Sequence, residues 1–312
     1  MERRNMKIAI MGTGGVGGYY GALLAQKGHE VTFIARGPHL QTIRERGLAI
    51  RSVHGDFIVF PARAVDNPVE AGQAELILFS TKTYHTDGAA QLVKPMLGEA
   101  TTVVSLQNGV DAAERIGAVV GMDHLLGGVT WLSAAIEAPG IIGQYSQFRR
   151  IALGEFNGET TARAQAIHDV LSGVGAAVEL VPDITRILWT KFVFIASVSA
   201  LGCLTRATFG EYRNVPEARA VLTEAIQEVA GVAEARGIRL DPDITEKTLA
   251  FIDSSDPGIK PSMQRDVEAG RRSELESMIG IVVRLGRELG IRTPVMNLAY
   301  SVLKPTELKA QS

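Results

Sequence analysis

Apolar and polar residues alternate in two different ways along this chain, and the pattern changes near residue 182. Before it, short apolar runs at residues 7–11, 76–80 and 102–106 are separated by helical stretches. Runs of this kind are typical of strands that are buried on both faces of a parallel sheet. After it, apolar residues recur every three or four positions, which indicates helices. We therefore predict an α/β domain over residues 1–182 and an all-α domain over residues 183–312.

Two further patterns refine this outline. Residues 128–153 alternate more regularly and include Pro139 and Gly140, which predicts an antiparallel extension. Ser262, Asp266, Gly270 and Glu274 are spaced four apart after Pro261, which can open a helix. This spacing predicts one polar helix face with a gap at its glycine.

A glycine cluster follows the first predicted strand and reads Gly12-Thr13-Gly14-Gly15-Val16-Gly17. It fits the G-x-G-x-x-G pattern in its informative setting, after a strand, before a helix and with a second strand following. In this pattern Gly12 permits a tight turn, Gly14 lets the backbone approach a pyrophosphate, and Gly17 lets the helix pack closely. The helix N-terminus favours anions. A glycine-rich turn without a ligand is the alternative, but the setting favours a dinucleotide site.

The residue that ends the second strand predicts which dinucleotide binds. An NAD site usually has Asp or Glu there, which accepts a hydrogen bond from the ribose 2′-hydroxyl. This chain has Arg36, and an arginine pairs with a 2′-phosphate or stacks beside it. Arg44 and Arg46 add positive charge nearby. We therefore expect NADP(H), with the alternative that Arg36 only solvates a loop.

Three more polar residues are candidates for a site. Lys82 and Asn108 directly follow predicted strands, and open α/β sheets bind ligands at the carboxyl ends of their strands. Lys191 lies on the apolar stripe of a predicted helix, where partial desolvation would lower the pKa of its ammonium group and suit a proton donor. The alternatives are a solvated loop charge for Lys82, a plain turn at Asn108, and a snorkelling side chain for Lys191.

Composition narrows the class of protein. The 312 residues carry a net charge of -2, so no global basic field attracts nucleic acid or anionic lipid. Cys203 is the single cysteine and the six histidines are scattered, so neither an internal disulfide nor a metal site is predicted. We expect a cytoplasmic protein without a membrane segment, because the longest apolar run, 192–204, is short and rich in Ser and Ala. Residues 1–5 are polar, and Met6 would serve as a start as well as Met1 does.

These motifs occur together, in this order, in the ketopantoate reductases (2-dehydropantoate 2-reductases), and the chain resembles that family from residue 7 to about residue 300. The matching pieces are KIAIMGTGGVGG, Lys82 in STKTYHT, Asn108 in QNGV, Lys191 in LWTKF, and Ser262 with Glu274 in PSMQRDVEAGRRSELE. The resemblance implies an N-terminal Rossmann domain that binds NADPH. It also implies a helical domain like that of 6-phosphogluconate dehydrogenase, with the active site in the cleft between the two.

The resemblance further implies a role for each matching residue. Lys191 protonates the carbonyl oxygen of the substrate, and Glu274 is its catalytic partner. Asn108 and Ser262 contact the substrate or position the nicotinamide, and Lys82 lies beside the cofactor. The implied reaction is the NADPH-dependent reduction of ketopantoate to (R)-pantoate in pantothenate biosynthesis.

The chain departs from the family pattern at two positions. The family usually has asparagines four and eight residues after the lysine, near the substrate, whereas this chain has Ile195 and Ser199. One alternative is therefore a reductase that acts on another branched 2-oxo acid. A second alternative is a non-catalytic NADP(H) sensor, but the retained Lys191 and Glu274 argue against it. We favour a homodimer.

Overall fold

The computed structural model describes residues 5–311, so Met1 and most of the polar N-terminal segment lie outside the described residues. The chain divides into two compact units. Unit 1 comprises the residues up to Gln107 together with Asp111–Ile184, and unit 2 comprises Asn108–Val110 and the residues from Thr185 onward. The division of function between residues 1–182 and 183–312 stays a prediction.

Unit 1 contains an eight-stranded sheet that is largely parallel. The strands of unit 1, in chain order, are β1 (Lys7–Met11), β2 (Glu30–Ile34), β3 (Leu48–Ser52), β4 (Phe57–Val59), β5 (Arg63–Val65), β6 (Leu76–Phe79), β7 (Thr102–Ser105), β8 (Leu125–Trp131), β9 (Ala134–Ala138), β10 (Ile141–Gln144), β11 (Arg150–Gly154) and β12 (Ala177–Leu180). The large sheet has the order β12-β11-β8-β7-β6-β1-β2-β5, and only β8 and β11 pair antiparallel within it. Strands β6 and β7 lie well inside it, which explains their apolar sequences.

A smaller sheet in unit 1 has the order β4-β3-β10-β9, and the sequence pattern did not predict it. Strands β9 and β10 pair antiparallel across the turn at Pro139 and Gly140, where Gly140 has a φ of +73°. The antiparallel extension over 128–153 is therefore confirmed, but its strands are divided between the two sheets. The helices of unit 1 are α1 (Gly15–Gln26), α2 (Gly37–Arg46), α3 (Thr86–Val93), α4 (Ala112–Val120) and α5 (Ala162–Ser172).

Unit 2 is helical. Its helices are α6 (Ile184–Thr205), α7 (Phe209–Arg213), α8 (Pro216–Ala235), α9 (Ile244–Ser254), α10 (Ser262–Glu268), α11 (Ile281–Leu289) and α12 (Pro294–Lys309), and a π-helical turn (Glu276–Gly280) precedes α11. One apolar core joins them, with Phe192 from α6, Val229 from α8 and Met296 from α12 among its members. Helix α11 ends at Gly290, which has the left-handed conformation that favours glycine.

Helix α6 extends beyond the predicted apolar run of residues 192–204. It is the one helix within residues 5–311 that is long and apolar enough to cross a membrane, with 22 residues and a mean hydropathy of 1.8 over its most apolar 18-residue stretch. However, 61% of its most apolar stretch is buried inside the protein, and Phe192, Val193 and Ala196 belong to the core of unit 2. The core helix of a soluble protein has the same length and composition, so this helix is weak evidence for a membrane span. The cytoplasmic location stays a prediction.

The predicted polar face from Ser262 to Glu274 is wrong as a single helix. Helix α10 ends at Glu268, Gly270 has a φ of +65°, and residues 271–274 are not helical. A glycine in the left-handed region ends a helix and turns the chain. Glu274 instead opens the next helix, because its carbonyl oxygen accepts hydrogen bonds from the backbone N–H groups of Ser277 (3.2 Å) and Met278 (3.0 Å).

Candidate functional site

The glycine loop, residues 12–17, joins β1 to α1 in unit 1. Gly12 has a φ of +100°, and a Cβ there would lie 2.7 Å from the backbone nitrogen of Thr81. A Cβ on Gly17 would lie 2.3 Å from the carbonyl oxygen of Gly12, so any larger residue would push the helix off the loop. A Cβ on Gly14, in contrast, would meet no described atom within 4 Å. The loop therefore combines a tight turn and close packing with open space beside one backbone segment, as a pyrophosphate site requires.

The amino end of α1 has backbone N–H groups available for an anion. Gly14 is the N-cap, no side chain of the described residues caps the helix, and its first turn, with Gly15 and Val16, has no acidic residue. Thr13 is different, because its backbone N–H (3.1 Å) and its hydroxyl (2.9 Å) both donate to the carbonyl oxygen of Ile34. Thr13 therefore ties the loop to the end of β2.

Arg36 lies two residues beyond that attachment and is the N-cap of α2. Its side chain is exposed, and within residues 5–311 its guanidinium group forms no hydrogen bond or ion pair. Arg44 is already engaged, because it donates to the carbonyl oxygen of Ala64 (2.9 Å) and lies 3.6 Å from Asp66. Arg46 is exposed in the last turn of α2. Arg36 is thus the arginine of this group that lies nearest to the glycine loop along the chain, and no acidic side chain of the described residues pairs with it.

The carboxyl ends of β6 and β7 are joined by a side chain. The amide nitrogen of Gln107 donates to the carbonyl oxygen of Thr81 (2.9 Å) and to the hydroxyl of Thr86 (3.0 Å). Thr81 is also the residue that packs against Gly12. Lys82, the next residue, is half-buried and immediately precedes the 3-10 turn Thr83–His85. Lys82 is therefore adjacent in sequence to a residue that packs against the glycine loop, and its place beside the cofactor stays a prediction.

A second group of site residues, which we call the lysine cluster (Lys191, Asn108 and Glu274), lies in unit 2. The ammonium group of Lys191, on α6, donates to the Oδ1 atom of Asn108 at 2.8 Å. Lys191 is half-buried, and the removal of water from its ammonium group lowers the pKa to about 8. The negative charge of Glu274, which is itself buried, partly offsets this shift. The cluster holds an ammonium group that can give up its proton near neutral pH.

The remaining predicted residues lie on two helices of unit 2. Ile195 and Ser199 follow Lys191 by one and two turns of α6, so the three share a helix face. Ile195 is half-buried against the core, whereas Ser199 is buried and its hydroxyl makes no hydrogen bond within the described chain. Ser262 begins α10 and is half-buried, and the described residues show no hydrogen bond from it to the lysine cluster.

Sequence reasoning missed a buried contact at the residue immediately before Glu274. Ser273 and Glu307, which are 34 positions apart, are hydrogen-bonded and buried. No local pattern could have revealed this pair, since a glutamate within an amphipathic helix is typical of a solvated face. No group of three or more His, Cys, Asp or Glu residues able to hold a metal ion occurs within residues 5–311.

Two family models match the chain. The model for ketopantoate reductase PanE/ApbA matches residues 8–158, and the model for the C-terminal part of ketopantoate reductase PanE/ApbA matches residues 183–307. The chain belongs to the ketopantoate reductase family. It is therefore an oxidoreductase, and the predicted family is confirmed.

Individual members and neighbours of the family match along nearly the whole chain. The uncharacterized oxidoreductase YkpB of Bacillus subtilis is 29% identical over 302 residues, which cover 97% of this chain and 99% of that protein. The structure of a PanE/ApbA family ketopantoate reductase from Ralstonia eutropha JMP134 is 30% identical with a TM-score of 0.90, covering 98% of this chain and 100% of that one. A D-mandelate dehydrogenase solved with NADH and anilino(oxo)acetate is 25% identical with a TM-score of 0.90, covering 98% and 99%. These matches confirm the predicted fold, a Rossmann-type α/β part followed by an all-α part.

Proposed function

We propose that this oxidoreductase reduces the keto group of a small 2-oxo acid with NADPH, and that ketopantoate, reduced to (R)-pantoate, is the substrate. The observation that carries the proposal is the lysine cluster, in which a desolvated Lys191 is held by Asn108 and balanced by Glu274. A sensor that only binds a dinucleotide has no need of such a group. When bound, NADPH supplies the hydride that reduces the carbonyl carbon.

Lys191 has two tasks in this proposal. Negative charge develops on the carbonyl oxygen during reduction, and the ammonium group of Lys191 stabilises that charge and then donates a proton from Nζ to the oxygen. The Oδ1 atom of Asn108, at 2.8 Å, orients the ammonium group. The charge of Glu274 favours the protonated form of Lys191, so that the acid is ready before each turnover.

We assign the cofactor to residues of 1–182. The glycine loop would hold the pyrophosphate, because it has open space at Gly14 and uncapped N–H groups at the start of α1. Arg36 would hold the 2′-phosphate, because its guanidinium group is exposed and has no anionic partner among the described residues. Lys82 would lie beside the cofactor, and Asn108 would also help to position the nicotinamide.

We assign the substrate to the face of α6 that carries Lys191, together with Asn108 and Ser262. The Ser199 hydroxyl is buried and has no hydrogen-bond partner among residues 5–311, and such a group is stabilised when a ligand supplies the missing hydrogen bond. Ile195, however, presents an apolar side chain one turn after Lys191. It favours a second candidate function, the reduction of a 2-oxo acid whose side chain is more apolar, as in the D-mandelate dehydrogenase to which the chain is similar.

A panel of 2-oxo acids distinguishes the two candidates. We expect the purified protein to oxidise NADPH with a higher kcat/KM for ketopantoate than for 2-oxoisovalerate or phenylglyoxylate, measured by the loss of NADPH absorbance. A preference for phenylglyoxylate would support the second candidate instead. If none of the acids is reduced although NADPH binds, both candidate substrate assignments are wrong.

The pH dependence of the reaction tests the role of Lys191. A proton donor must be protonated, and the pKa of Lys191 is about 8, so reduction should decline as the pH rises through about 8. The reverse reaction, oxidation of the 2-hydroxy acid with NADP, needs the neutral amine and should increase over the same range. Initial rates in both directions against pH measure this. A reduction rate that stays constant well above pH 8 would argue against Lys191 as the acid.

A further inference from the structure

The residue immediately before Glu274 is held by the C-terminal helix. The carboxylate of Glu307, on α12, is only 5% exposed and accepts two hydrogen bonds at Oε2 from Ser273, one from its backbone N–H (3.0 Å) and one from its hydroxyl (2.6 Å). The side-chain amide of Gln311 donates to the other oxygen of Glu307 at 3.0 Å. Because a buried carboxylate is costly unless it is hydrogen-bonded, these contacts determine where Ser273 lies.

A second attachment follows Glu274 by two residues. The carboxylate of Glu276 accepts hydrogen bonds from the hydroxyl of Tyr300 (2.9 Å) and from the ammonium group of Lys304. Tyr300, Lys304 and Glu307 lie at positions i, i+4 and i+7 of α12, and therefore on one face of that helix. A single helix face thus holds the chain on both sides of Glu274.

The backbone between these attachments is unusual. Glu274 provides the first carbonyl oxygen of a helix whose next residues, Glu276–Gly280, form a π-helical turn. Such turns are rare and are frequent at functional sites, because they shift the side chains around them relative to a regular helix. A change of this turn to a regular α-helix would move Glu274. The hydrogen bonds to α12 oppose that change, because they hold the residues on both sides of Glu274.

We propose that Glu307 is a positioning residue, which holds Glu274 beside Lys191 by way of Ser273. Glu307 forms its hydrogen bonds with Ser273 and Gln311, so it acts through the backbone next to Glu274 and takes no part in the chemical step. The inference rests on the proposed function, in which Glu274 partners Lys191.

Replacing Glu307 with alanine tests the inference. We expect Glu307→Ala to lower kcat for 2-oxo acid reduction by about 10- to 100-fold, since small misplacements of a catalytic group have effects of this size, with a smaller change in KM. The basic limb of the pH profile should move to lower pH, because the charge of Glu274 raises the pKa of Lys191 and would act from a greater distance. Glu307→Gln keeps an acceptor oxygen and should recover part of both effects. Ser273→Ala should lower kcat and move the basic limb in the same directions as Glu307→Ala does, but by smaller amounts.

Glu228, on α8, is a matched control, because it binds the amino end of α12. It is also a buried glutamate, and its carboxylate accepts backbone hydrogen bonds from Val295 (2.7 Å) and Met296 (2.9 Å). Glu228→Ala should lower the Tm by an amount similar to Glu307→Ala. It should leave the basic limb of the pH profile where it is in the unchanged protein.

Three outcomes decide the matter when Glu274→Gln is measured in parallel. If Glu274→Gln retains full activity, the catalytic role of Glu274 in the proposed function is wrong, and the inference is wrong with it. If Glu274→Gln lowers kcat but Glu307→Ala changes only the Tm, as Glu228→Ala does, then Glu307 is merely structural and this inference alone is overturned. If Glu307→Ala does not fold, a shifted pH limb in Glu307→Gln and Ser273→Ala supports the inference and an unshifted one overturns it.

Discussion

Replacement of Lys191 by alanine should lower the turnover of 2-oxo acid reduction by about 10²- to 10⁴-fold, the usual contribution of a positioned general acid. In the proposed mechanism the variant loses both the proton donor and the positive charge that stabilises the developing oxyanion, a charge hydrogen-bonded to Asn108 in the structure. The measurement is kcat for NADPH oxidation with ketopantoate near pH 7, where most of the wild-type Lys191 is protonated. The affinity for NADPH should change little, which a binding titration checks.

Two further variants separate the possible causes of such a loss. Lys191→Arg keeps the charge and a donor for Asn108, but a guanidinium group does not release its proton at these pH values. We therefore expect it to recover only a small part of the activity. Lys247→Ala removes a different lysine of unit 2, one that is exposed and paired with Asp241, and should leave turnover unchanged. Near-normal turnover of Lys191→Ala would mean that Lys191 is neither the proton donor nor the stabilising charge. Full recovery in Lys191→Arg would mean that Lys191 supplies only a positive charge and no proton.

The glycine loop could be predicted from the sequence because its determinants are local. Strand β1, the loop, helix α1 and strand β2 are consecutive, and the close approach of Gly17 to the carbonyl oxygen of Gly12 lies within that segment. The contact of Gly12 with Thr81, which follows β6, lies outside it. The sequence did not show whether the guanidinium group of Arg36 is paired with another side chain. Whether a surface arginine is paired depends on distant residues, as the contact between Arg44 and Asp66 shows.

The lysine cluster could be predicted only in part. Lys191 and Asn108 were each candidates, but their hydrogen bond joins residues 83 positions apart, and no periodicity in the sequence encodes such a contact. The short segment that carries Asn108 belongs to unit 2, although the residues before and after it belong to unit 1. The smaller sheet was missed for the same reason, since β3 pairs with the distant β10 and both strands are short.

The prediction of one continuous helix face from Ser262 to Glu274 is a different kind of error, because the sequence did contain a signal for the end of α10. A glycine is typical of the position just after a helix C-terminus, yet the four-residue spacing through Gly270 suggested a continuous face. In the structure the turn at Gly270 leads the chain to Ser273, where Glu307 holds it. Glu274 is therefore located by a tertiary contact, which helical spacing from Ser262 cannot supply.

Replacement of Arg36 by alanine should weaken the binding of NADPH by about 10- to 100-fold, since a hydrogen bond between charged groups contributes roughly 1.5–3 kcal/mol. The binding of NADH should be almost unchanged, because NADH lacks the 2′-phosphate. The dissociation constants of both dinucleotides can be measured by fluorescence titration, without any substrate. The result therefore does not depend on which 2-oxo acid the enzyme reduces.

Lys27→Ala is the matched control, because Lys27 is an exposed cation at the opposite end of α1 from the glycine loop. It should leave both dissociation constants as they are, which separates a local contact from the general loss of one positive charge. Arg36→Asp should go further and reverse the preference, because a carboxylate repels the 2′-phosphate and accepts a hydrogen bond from the ribose 2′-hydroxyl of NADH. An equal loss of NADPH and NADH binding in Arg36→Ala would mean that Arg36 does not contact the 2′-phosphate. The cofactor would then have to be reassigned, with NADH, the dinucleotide bound in the similar D-mandelate dehydrogenase, as the first candidate.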